Sequence, residues 1–343
     1  IKINLMEKLS WGIIGLGNIA NIFANAFNFS NYGTLKAIAS KNKDKLNKFK
    51  NKFNIEEKYA YNNYEDLIKN SDVDIVYIAL PTSFHFETLK MCINHGKRIL
   101  VEKPATSNLD EALKIQKILK DKLFFCEAMM YRFHPQIKKL LELIKNGDIG
   151  KLTSMEVNFG SDILTSFNFL GFRKRKKINP KNRLFNKDLG GGVILDLGCY
   201  CVSLSTLIAS QISELKEIKV LNKKKEICSS GVDINSYAEL NFDNGFKSFI
   251  GASFSEPLGR KAIINGEKGQ IILDDVWFGQ VPFITLKTEQ TQKIEINKIN
   301  NIYTNEIDSI SESIINNKNI LDYSGVDLSQ AIRNMEIIEN WLS

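Results

Sequence analysis

The 343-residue chain has few cysteines and no long apolar run, and each shortage excludes a class of protein. Its five cysteines are odd in number and form no C-x-x-C pair, so we expect buried free thiols and neither a disulfide framework nor a zinc site. No apolar run approaches the roughly 20 residues that cross a bilayer, and residues 1–10 lack a hydrophobic signal core. We therefore expect a cytoplasmic protein without a membrane contact.

Positive charge is in excess, but it is not concentrated on one predicted face. Lysine and arginine number 46 against 39 acidic residues, which gives a formal net charge of +7. The lysines are spread through the chain without interleaved aromatics, so we expect no nucleic-acid partner. The one basic run is Arg173 to Lys177, for which we favour an exposed surface over an anion-binding role.

The first third of the chain alternates short β-branched runs with amphipathic segments, a pattern typical of βαβ units and a doubly wound parallel sheet. We predict a first domain over residues 1–128. Its strands are expected at 11–15, 35–40, 75–80, 98–101 and 123–126, with helices at 84–95 and 109–120.

After residue 150 the pattern changes to period-two alternation, which favours an open, mostly antiparallel sheet. We predict a second domain over residues 129–343, so the fold class is α/β plus α+β. Its strands are expected at 152–159, 237–242, 246–252, 261–264 and 270–273, with a helix at 198–209. A final helix at 328–342 is expected to pack back on the first domain.

A glycine-rich turn follows the first predicted strand. The sequence Gly15-Leu16-Gly17-Asn18-Ile19-Ala20 has the form G-x-G-x-x-A and opens a helix. Glycine allows a sharp turn and a close approach of the backbone to a pyrophosphate, whose charge is stabilised at the helix N-terminus. At the first strand–helix junction of a βαβ series, this motif predicts dinucleotide binding.

The end of the second predicted strand indicates which dinucleotide is preferred. An NAD-selective site places an acid there to bind the ribose hydroxyls, whereas this chain has Ser40 and Lys41, with Lys45 one helical turn onward. A hydroxyl and two cations suit a 2′-phosphate, so NADP(H) is the expected cofactor and NAD(H) remains possible. The alternative is that these are ordinary surface lysines.

Two further strand ends carry polar residues at the carboxyl edge of the sheet, where open α/β folds bind ligands. The third strand ends in Leu80-Pro81-Thr82, and the fourth in Glu102-Lys103-Pro104. Lys103 is expected to reach both a cofactor ribose and a substrate hydroxyl, although a proline there could merely end the strand.

These motifs, taken together with residues 127–135 (EAMMYRFHP) and 190–200 (GGGVILDLGCY), resemble the Gfo/Idh/MocA oxidoreductase family. The similarity points to the branch with glucose–fructose oxidoreductase, dimeric dihydrodiol dehydrogenase and NADP-dependent D-xylose dehydrogenase. It implies an N-terminal Rossmann domain, a carbohydrate-like substrate, and a homodimer or homotetramer formed through the C-terminal sheet.

The resemblance also implies roles for individual residues. Tyr200 would be the acid/base, with Lys103 stabilising its phenolate, because a phenol alone is a weak acid near neutrality. Asp196 would support Tyr200, unless it is only a helix N-cap. Arg183 would contact the nicotinamide end of the cofactor, although the tryptophan that precedes it in relatives is absent, and His85, Glu102 and the Leu80–Thr82 loop would lie beside the cofactor.

The sequence therefore predicts an NADP(H)-dependent oxidoreductase that acts on a sugar, a polyol or a related hydroxy-ketone. Two enzymatic alternatives are a nucleotide-sugar or deoxysugar ketoreductase, whose diphosphate would bind the 173–177 run, and an NAD-dependent inositol-type dehydrogenase. The third alternative is a cofactor-sensing protein without catalytic activity, but a sensor would need neither Lys103 nor Tyr200.

Overall fold

The computed structural model describes residues 8–119, 123–167, 172–318, 321 and 325–343. Contacts divide the described residues into two units. The first takes those of Ile1–Phe133 and Ile299–Ile332, and the second those of His134–Lys298 and Arg333–Ser343. Residues 1–7, at the start of the predicted first domain, and Lys120, the predicted end of a helix, lie outside the described residues.

A six-stranded sheet forms the centre of the first unit. Its strands are β1 (Leu9–Ile14), β2 (Gly33–Ala39), β3 (Ala60–Tyr61), β4 (Ile75–Ile78), β5 (Arg98–Glu102) and β6 (Phe125–Ala128). Its helices before residue 133 are α1 (Asn18–Ala26), α2 (Lys43–Phe53), α3 (Tyr64–Lys69), α4 (His85–Asn94) and α5 (Leu109–Ile118). The strands are all parallel in the order β3-β2-β1-β4-β5-β6, which confirms the doubly wound prediction.

The central strands are apolar because both faces of a parallel sheet are covered. Ile13, Val76 and Leu100, on β1, β4 and β5, are fully buried. Burying such a side chain stabilises the fold by about 1.5–3 kcal/mol. The strand order reverses between β1 and β4, so the loops at their carboxyl ends border the crevice where this class of sheet binds ligands.

A helix near the C-terminal end of the chain, α8 (Ile302–Ile315), belongs to the first unit. The Trp11 indole N–H donates to Ser311 Oγ at 2.9 Å, and backbone N–H groups of residues 31 and 32 donate to the Asp308 carboxylate. A Cβ on Gly33 would lie 2.6 Å from Ile307. The single boundary predicted at residues 128 and 129 assigns this helix to the second domain, whereas its contacts assign residues 299–332 to the first unit.

An eight-stranded sheet forms the second unit. Its strands are β7 (Leu152–Gly160), β10 (Ile218–Ile227), β11 (Asp233–Phe242), β12 (Lys247–Ser253), β13 (Ala262–Gly266), β14 (Gly269–Leu273), β15 (Phe283–Lys287) and β16 (Thr291–Glu295), and a separate hairpin contains β8 (Thr165–Phe167) and β9 (Arg173–Arg175). Along the order β10-β11-β12-β7-β13-β14-β15-β16, the pair β12 and β7 is parallel and the other neighbouring pairs of described strands are antiparallel. The prediction of a mostly antiparallel sheet is confirmed.

The helices α6 (Pro135–Asn146) and α7 (Cys199–Ala209) belong to the same unit as this sheet. Every residue of α7 is buried. Within the described residues, the run Lys187–Ala209 is long and apolar enough to cross a membrane, so the expectation that no such run exists is wrong. Its most apolar window is 89% buried, as in the core helix of a globular unit. Four of the five cysteines are buried, as expected, whereas Cys228 is half-buried, and none of the five forms a disulfide within the described residues.

The last helix, α9 (Leu328–Leu342), has the predicted bounds. We expected it to pack on the first domain, but its contacts assign only residues 328–332 to the first unit. Within the second unit, Asn334 accepts a hydrogen bond from the Thr206 hydroxyl at 2.9 Å. Trp341 is fully buried against Gly198, where a Cβ would lie 2.7 Å from its ring. Large apolar residues near the chain end therefore explain why most of α9 belongs to the second unit.

Candidate active site

The turn after β1 needs glycine at its first position. Gly15 has φ +90°, and a Cβ there would lie 2.7 Å from Leu80 Cδ2 and 2.8 Å from the Ala79 carbonyl oxygen. Gly17 is the N-cap of α1, and a Cβ on it would meet no atom within 4 Å. Asn18 is exposed, Ile19 half-buried and Ala20 buried. The described residues therefore leave open space beside Gly17 at the helix N-terminus, whereas Gly15 is packed against Leu80 and Ala79.

The N-terminus of α1 fits a pyrophosphate. In the part of the chain that the structure describes, no side chain caps this helix, whereas Asn42 caps α2 and Asn63 caps α3. Backbone N–H groups at an uncapped helix N-terminus attract an anion, because their dipoles add and they have no intrahelical acceptor. The residues present are thus compatible with the dinucleotide that the glycine motif implies.

The polar residues after β2 lie at the same carboxyl edge. Ser40 is 6% exposed, and its Oγ accepts the Asn42 backbone N–H at 3.2 Å. Lys41 is exposed, with Nζ 5.1 Å from the centre of the Tyr64 ring, and Lys45 is exposed in the first turn of α2. The strand end thus offers a hydroxyl and two cations. The nearest acid along the chain is Asp44, in the first turn of α2.

The loop after β4 is tied to the loop after β5. Leu80 and Pro81 are half-buried, and Thr82 is 3% exposed. His85 is fully buried, with Nε2 2.8 Å from the Leu80 carbonyl oxygen and Nδ1 3.1 Å from the Pro104 carbonyl oxygen. His85 therefore joins the two loops in which the sequence predicts cofactor and substrate contacts.

The carboxylate of Glu102 is held at the end of β5. Its Oε1 accepts the Tyr77 hydroxyl at 2.5 Å, and its Oε2 accepts the Lys103 backbone N–H at 3.2 Å. Tyr77 is fully buried and stacks on Phe23 with 4.0 Å between ring centres. Burial and the nearby Glu102 raise the pKa of Tyr77 well above its usual value, so it remains a donor. Glu102 and Lys103 are half-buried at this edge.

Two further acids are buried in the first unit. Glu127, on β6, accepts the Ala105 backbone N–H at 2.7 Å, and burial raises its pKa to about 7. Glu306, on α8, is fully buried, and neither of its carboxyl oxygens has a hydrogen-bond partner among the described residues. Burial and then the charge of Glu102 raise the pKa of Glu306 well above its usual value. We therefore expect Glu306 to be neutral in the folded protein.

Tyr200 lies in α7 among aromatic rings of the second unit. It is 7% exposed, with its ring centre 5.4 Å from Phe159 and 5.6 Å from Trp277. Phe159 and Trp277 stack on each other at 5.4 Å. Edge and tilted contacts of this kind hold an aromatic ring in one orientation. This packing agrees with the alternative that Tyr200 is an ordinary aromatic residue of a buried helix. It does not test the acid/base role of the Tyr200 hydroxyl.

The glycine-rich segment before Tyr200 is anchored by Asp233 on β11. Its Oδ2 accepts the Ile194 backbone N–H at 2.7 Å. Gly192 has φ +117°, and a Cβ there would overlap the Asp233 carboxylate. Burial raises the pKa of Asp233, and its bond from Ile194 acts in the opposite direction. Asp233 thus fixes the start of the π-helix Ile194–Gly198, which leads into α7.

Asp196 lies within that π-helix and forms an ion pair with Arg183, with 3.0 Å between Oδ1 and Nη2. The N-cap of α7 is Gly198, so the alternative that Asp196 caps this helix is wrong. The Asp196 side chain is 12% exposed and that of Arg183 is 46% exposed. Asp196, predicted as a catalytic residue, and Arg183, predicted as a cofactor-binding residue, are therefore in contact within the second unit.

The basic run Arg173–Lys177 is exposed, as expected. Arg173–Arg175 forms β9, and Arg175 pairs with Glu226 at 3.0 Å, with both side chains largely in solvent. An exposed pair of this kind contributes about 0–1 kcal/mol.

The strand-end residues could be predicted from the sequence, whereas the residues that hold them in place were not predicted. Tyr77 could have been found, because β4 and β5 are neighbouring parallel strands and Tyr77 pairs in register with Leu100, two residues before Glu102. Asp233 and Glu306 carry no local signal, because they are distant in sequence from the residues they affect. In the first unit, the predicted residues of β1, β2, β4 and β5 meet at one sheet edge.

Two family models match the chain. One is described as an oxidoreductase family with an NAD-binding Rossmann fold and covers residues 9–126. The other is the Gfo/Idh/MocA C-terminal domain and covers residues 137–272. Both halves of the predicted resemblance are therefore confirmed.

Among curated relatives, the mouse trans-1,2-dihydrobenzene-1,2-diol dehydrogenase is 30% identical over 273 residues, covering 78% of this chain and 75% of that protein. The Xenopus tropicalis protein of the same name is 29% identical over 274 residues, covering 78% and 76%. A D-xylose 1-dehydrogenase (NADP(+)) from Haloferax volcanii is 30% identical over 199 residues, covering 58% and 55%.

Solved structures share the fold over nearly the whole chain. An aldose–aldose oxidoreductase from Caulobacter crescentus, complexed with glycerol, has a TM-score of 0.83 at 21% identity and covers 98% of this chain and 97% of its own. A 3-ketoreductase from Actinomadura kijaniata, in complex with NADP and TDP-benzene, has a TM-score of 0.79 at 19% identity and covers 97% and 96%. At this identity the likeness shows the fold.

Proposed function

Because the chain belongs to the Gfo/Idh/MocA oxidoreductase family, we propose that it transfers a hydride between NADP(H) and a sugar, a polyol or a related hydroxy-ketone. The observation that carries this proposal is the open, uncapped N-terminus of α1 next to Ser40, Lys41 and Lys45 at one sheet edge. Relatives named as dihydrodiol and NADP(+)-dependent xylose dehydrogenases support the class of substrate.

In this proposal the first unit binds the cofactor. The backbone N–H groups after Gly17 bind the pyrophosphate, and Ser40, Lys41 and Lys45 bind the 2′-phosphate. The loop from Leu80 to Thr82 and the Glu102–Lys103 strand end border the nicotinamide side, and Arg183 is proposed to contact the nicotinamide end of the cofactor. When bound, the nicotinamide supplies or accepts the hydride.

Lys103 and Tyr200 handle the proton. In the oxidative direction the Tyr200 phenolate takes the proton of the reacting hydroxyl, and in the reductive direction the phenol returns it to the carbonyl oxygen. The Lys103 ammonium stabilises the phenolate, and Asp196, paired with Arg183, supports the segment before Tyr200. Replacement Tyr200→Phe should abolish most turnover while NADPH binding persists, and full turnover in this variant would remove Tyr200 from the mechanism.

Cofactor choice is tested by titrating the protein with NADPH and NADH while nicotinamide fluorescence is followed. We expect NADPH to bind at least about tenfold more tightly, because only NADPH has the 2′-phosphate. Lys41→Glu should remove this preference. The matched control is Lys48→Glu. Lys48 is an exposed lysine of α2, the helix that begins two residues after Lys41. An NADH preference in the unmodified protein would favour the inositol-type alternative, and no binding of either nucleotide would contradict enzymatic function.

A nucleotide-sugar or deoxysugar ketoreductase is the second candidate. The exposed cations of the 173–177 run favour it, because they could bind a diphosphate. A steep loss of activity with salt that disappears when Lys174 and Lys176 are replaced by Gln would support this substrate class over a free sugar. Retained NADPH binding without turnover of any of these substrates would favour the sensing alternative.

We also propose that the chain forms a homodimer or homotetramer through the second-unit sheet. Its solvent face carries Phe249 at 44% exposure and Leu221 at 41%, beside a cavity of about 680 Å³ lined in part by Tyr237 and Glu239. Large apolar residues on an exposed sheet face are typical of subunit contacts. Light scattering should show an oligomer that Phe249→Lys dissociates, whereas Phe29→Lys, at an exposed phenylalanine of the first unit, should not.

We propose that the protein acts in the cytoplasm, in accordance with the burial of the Lys187–Ala209 run.

A further inference from the structure

His85 has an unusual set of hydrogen-bond neighbours. The side chain is fully buried, and both ring nitrogens face carbonyl oxygens, Nε2 that of Leu80 at 2.8 Å and Nδ1 that of Pro104 at 3.1 Å. A carbonyl oxygen accepts hydrogen bonds and cannot donate them. A neutral imidazole has one N–H group and one lone-pair nitrogen, so it can satisfy only one of these two neighbours. The imidazolium form has two N–H groups and satisfies both.

We propose that His85 is a buried imidazolium that donates to both carbonyl groups and thereby positions Lys103. Pro104 directly follows Lys103, so the bond to its carbonyl oxygen restrains the segment that carries the lysine. The bond to Leu80 joins this segment to the loop after β4. The inference rests on the proposed function, because it assigns His85 to the positioning of a residue that handles the proton.

The charged form has a physical basis in the surroundings of the ring. A buried cation is costly unless hydrogen bonds replace its hydration, and two bonds from a charged donor are about twice as strong as neutral ones. Deprotonation would leave one ring nitrogen with its lone pair against a carbonyl oxygen. As the pH rises and His85 loses its proton, one of the two loop contacts is therefore lost.

The chain contains a histidine with the opposite arrangement. His134 is also buried, but its Nδ1 accepts the Gln136 backbone N–H at 3.1 Å. Such a bond requires an unprotonated nitrogen, and burial lowers the pKa of His134 to about 4. His95, the third histidine, is exposed. The three side chains therefore provide an internal comparison between a charged buried ring, a neutral buried ring and an exposed ring.

Helix α4, which carries His85, packs against α3, α5, β4 and β5. The titratable and charged residues of these five elements are Glu87, Lys90 and Cys92 on α4, Tyr64, Glu65, Asp66 and Lys69 on α3, Asp110, Glu111, Lys114 and Lys117 on α5, Tyr77 on β4, and Arg98 and Glu102 on β5. Glu65, Glu87 and Asp110 each form an exposed ion pair with a lysine of their own helix. Glu102 ends β5, two residues before Pro104, and Glu127 on β6 accepts the backbone N–H of Ala105, directly after Pro104. A carboxylate at either position favours a charged His85, whereas the Lys103 ammonium, directly before Pro104, opposes it.

The protonation state can be measured without any assay of function. The full-length protein is labelled with ¹⁵N-histidine, the three rings are assigned with His95→Gln and His85→Asn, and nitrogen shifts are recorded near neutral pH without cofactor. We expect two protonated nitrogens in His85 and one in His134. One unprotonated nitrogen in His85 overturns the proposal. Because neither cofactor nor substrate is present, this result is independent of whether the proposed function is correct.

The positioning role is tested by a double-mutant cycle with Lys103. His85→Asn should lower kcat by about tenfold or more, but by less than about twofold in a Lys103→Met background, because the effect passes through the lysine. The stoichiometry of NADPH binding shows that the variants are folded. An equal loss of kcat in both backgrounds overturns the positioning role, and if His85→Asn does not fold, the nitrogen shifts of the unmodified ring still decide its charge.

Discussion

The Tyr77 hydroxyl donates a 2.5 Å hydrogen bond to Glu102 Oε1, one residue before Lys103. The other Glu102 oxygen accepts the Lys103 backbone N–H, so the carboxylate is held from two sides. Tyr77 is itself fixed by burial and by stacking on Phe23. A residue in the hydrophobic core therefore sets the position of a strand end that we assign to catalysis.

Replacing Tyr77 with Phe tests this connection. The variant keeps the ring and its stacking but removes the donor to Glu102. Loss of a hydrogen bond to a charged group should lower the free energy of unfolding by about 1.5–3 kcal/mol. Because Glu102 also holds the Lys103 backbone, kcat should fall as well. Urea unfolding measures the first effect, and steady-state kinetics at saturating cofactor measure the second.

The matched control is Tyr59→Phe. The Tyr59 hydroxyl donates to the Asp72 carboxylate at 2.7 Å, so the same chemical change is made in the same unit. Here we expect reduced stability with unchanged kcat. If Tyr77→Phe likewise lowers the free energy of unfolding without lowering kcat, the Tyr77–Glu102 hydrogen bond has a structural role only.

The two glycines of the first turn should separate folding from cofactor binding. Gly15→Ala places a methyl group on a backbone with φ +90° and against Leu80. We therefore expect the free energy of unfolding to fall by about 1–3 kcal/mol. Gly17→Ala has free space for its methyl group and φ −90°, so stability should change by less than about 1 kcal/mol. Urea unfolding checks both values.

Cofactor affinity provides the second measurement on these variants. The methyl group of Gly17→Ala would occupy space through which the backbone approaches a pyrophosphate, so the Kd for NADPH should rise by about tenfold or more. Unchanged affinity in a folded Gly17→Ala protein would show that this helix N-terminus does not bind the cofactor.

The strand ends of the first unit could be predicted because local sequence marks them. Gly15, Ser40 and Lys103 each follow an apolar run whose length and composition indicate a buried strand, and parallel strands place such ends at one edge. The final helix was predicted with its observed bounds, because its apolar stripe is long. The division of this helix between the two units could not be predicted. Periodicity shows which face of a helix is buried, but it does not show which element covers that face.

The helix α8 shows why the rest was not predicted. Asn301 caps it, and Ile307, Ile310 and Ile314 lie on one stripe, so a local signal was present. Its return to the first unit depends on contacts such as Trp11 with Ser311, which join distant parts of the sequence. Glu306 becomes relevant to Glu102 only through this return, so one sequence without a fold gives no reason to connect the two acids.

Glu306→Gln should stabilise the protein at high pH. In the unfolded chain this carboxyl ionises near pH 4.3, whereas burial and Glu102 raise its pKa well above that in the folded chain. Between these values the folded chain holds one more proton, so stability falls by about 1.4 kcal/mol per pH unit as pH rises. Glutamine does not ionise, so the variant should match the wild type near pH 4 and gain over it progressively as the pH rises above about 5.

Urea unfolding at a series of pH values measures this difference. Glu312→Gln is the control, since Glu312 is exposed on the same helix and the same chemical change is made there outside the core. A Glu306→Gln protein that is less stable at every pH would mean that the buried carboxylate is ionised and compensated in the folded state.

Asp233→Ala should impair turnover more than cofactor binding. Asp233 accepts the Ile194 backbone N–H at 2.7 Å and closes the space beside Gly192, so its removal releases the segment that leads to Tyr200. We expect kcat to fall by about tenfold, with the Kd for NADPH within about twofold, because the proposed phosphate contacts lie in the first unit. Asp243→Ala removes a similar acceptor, that of the Lys216 backbone N–H at 3.2 Å, from an exposed turn of the same sheet and should leave kcat unchanged. Equal kinetics in the two variants would mean that Tyr200 is positioned by the aromatic contacts of α7 and not through Asp233.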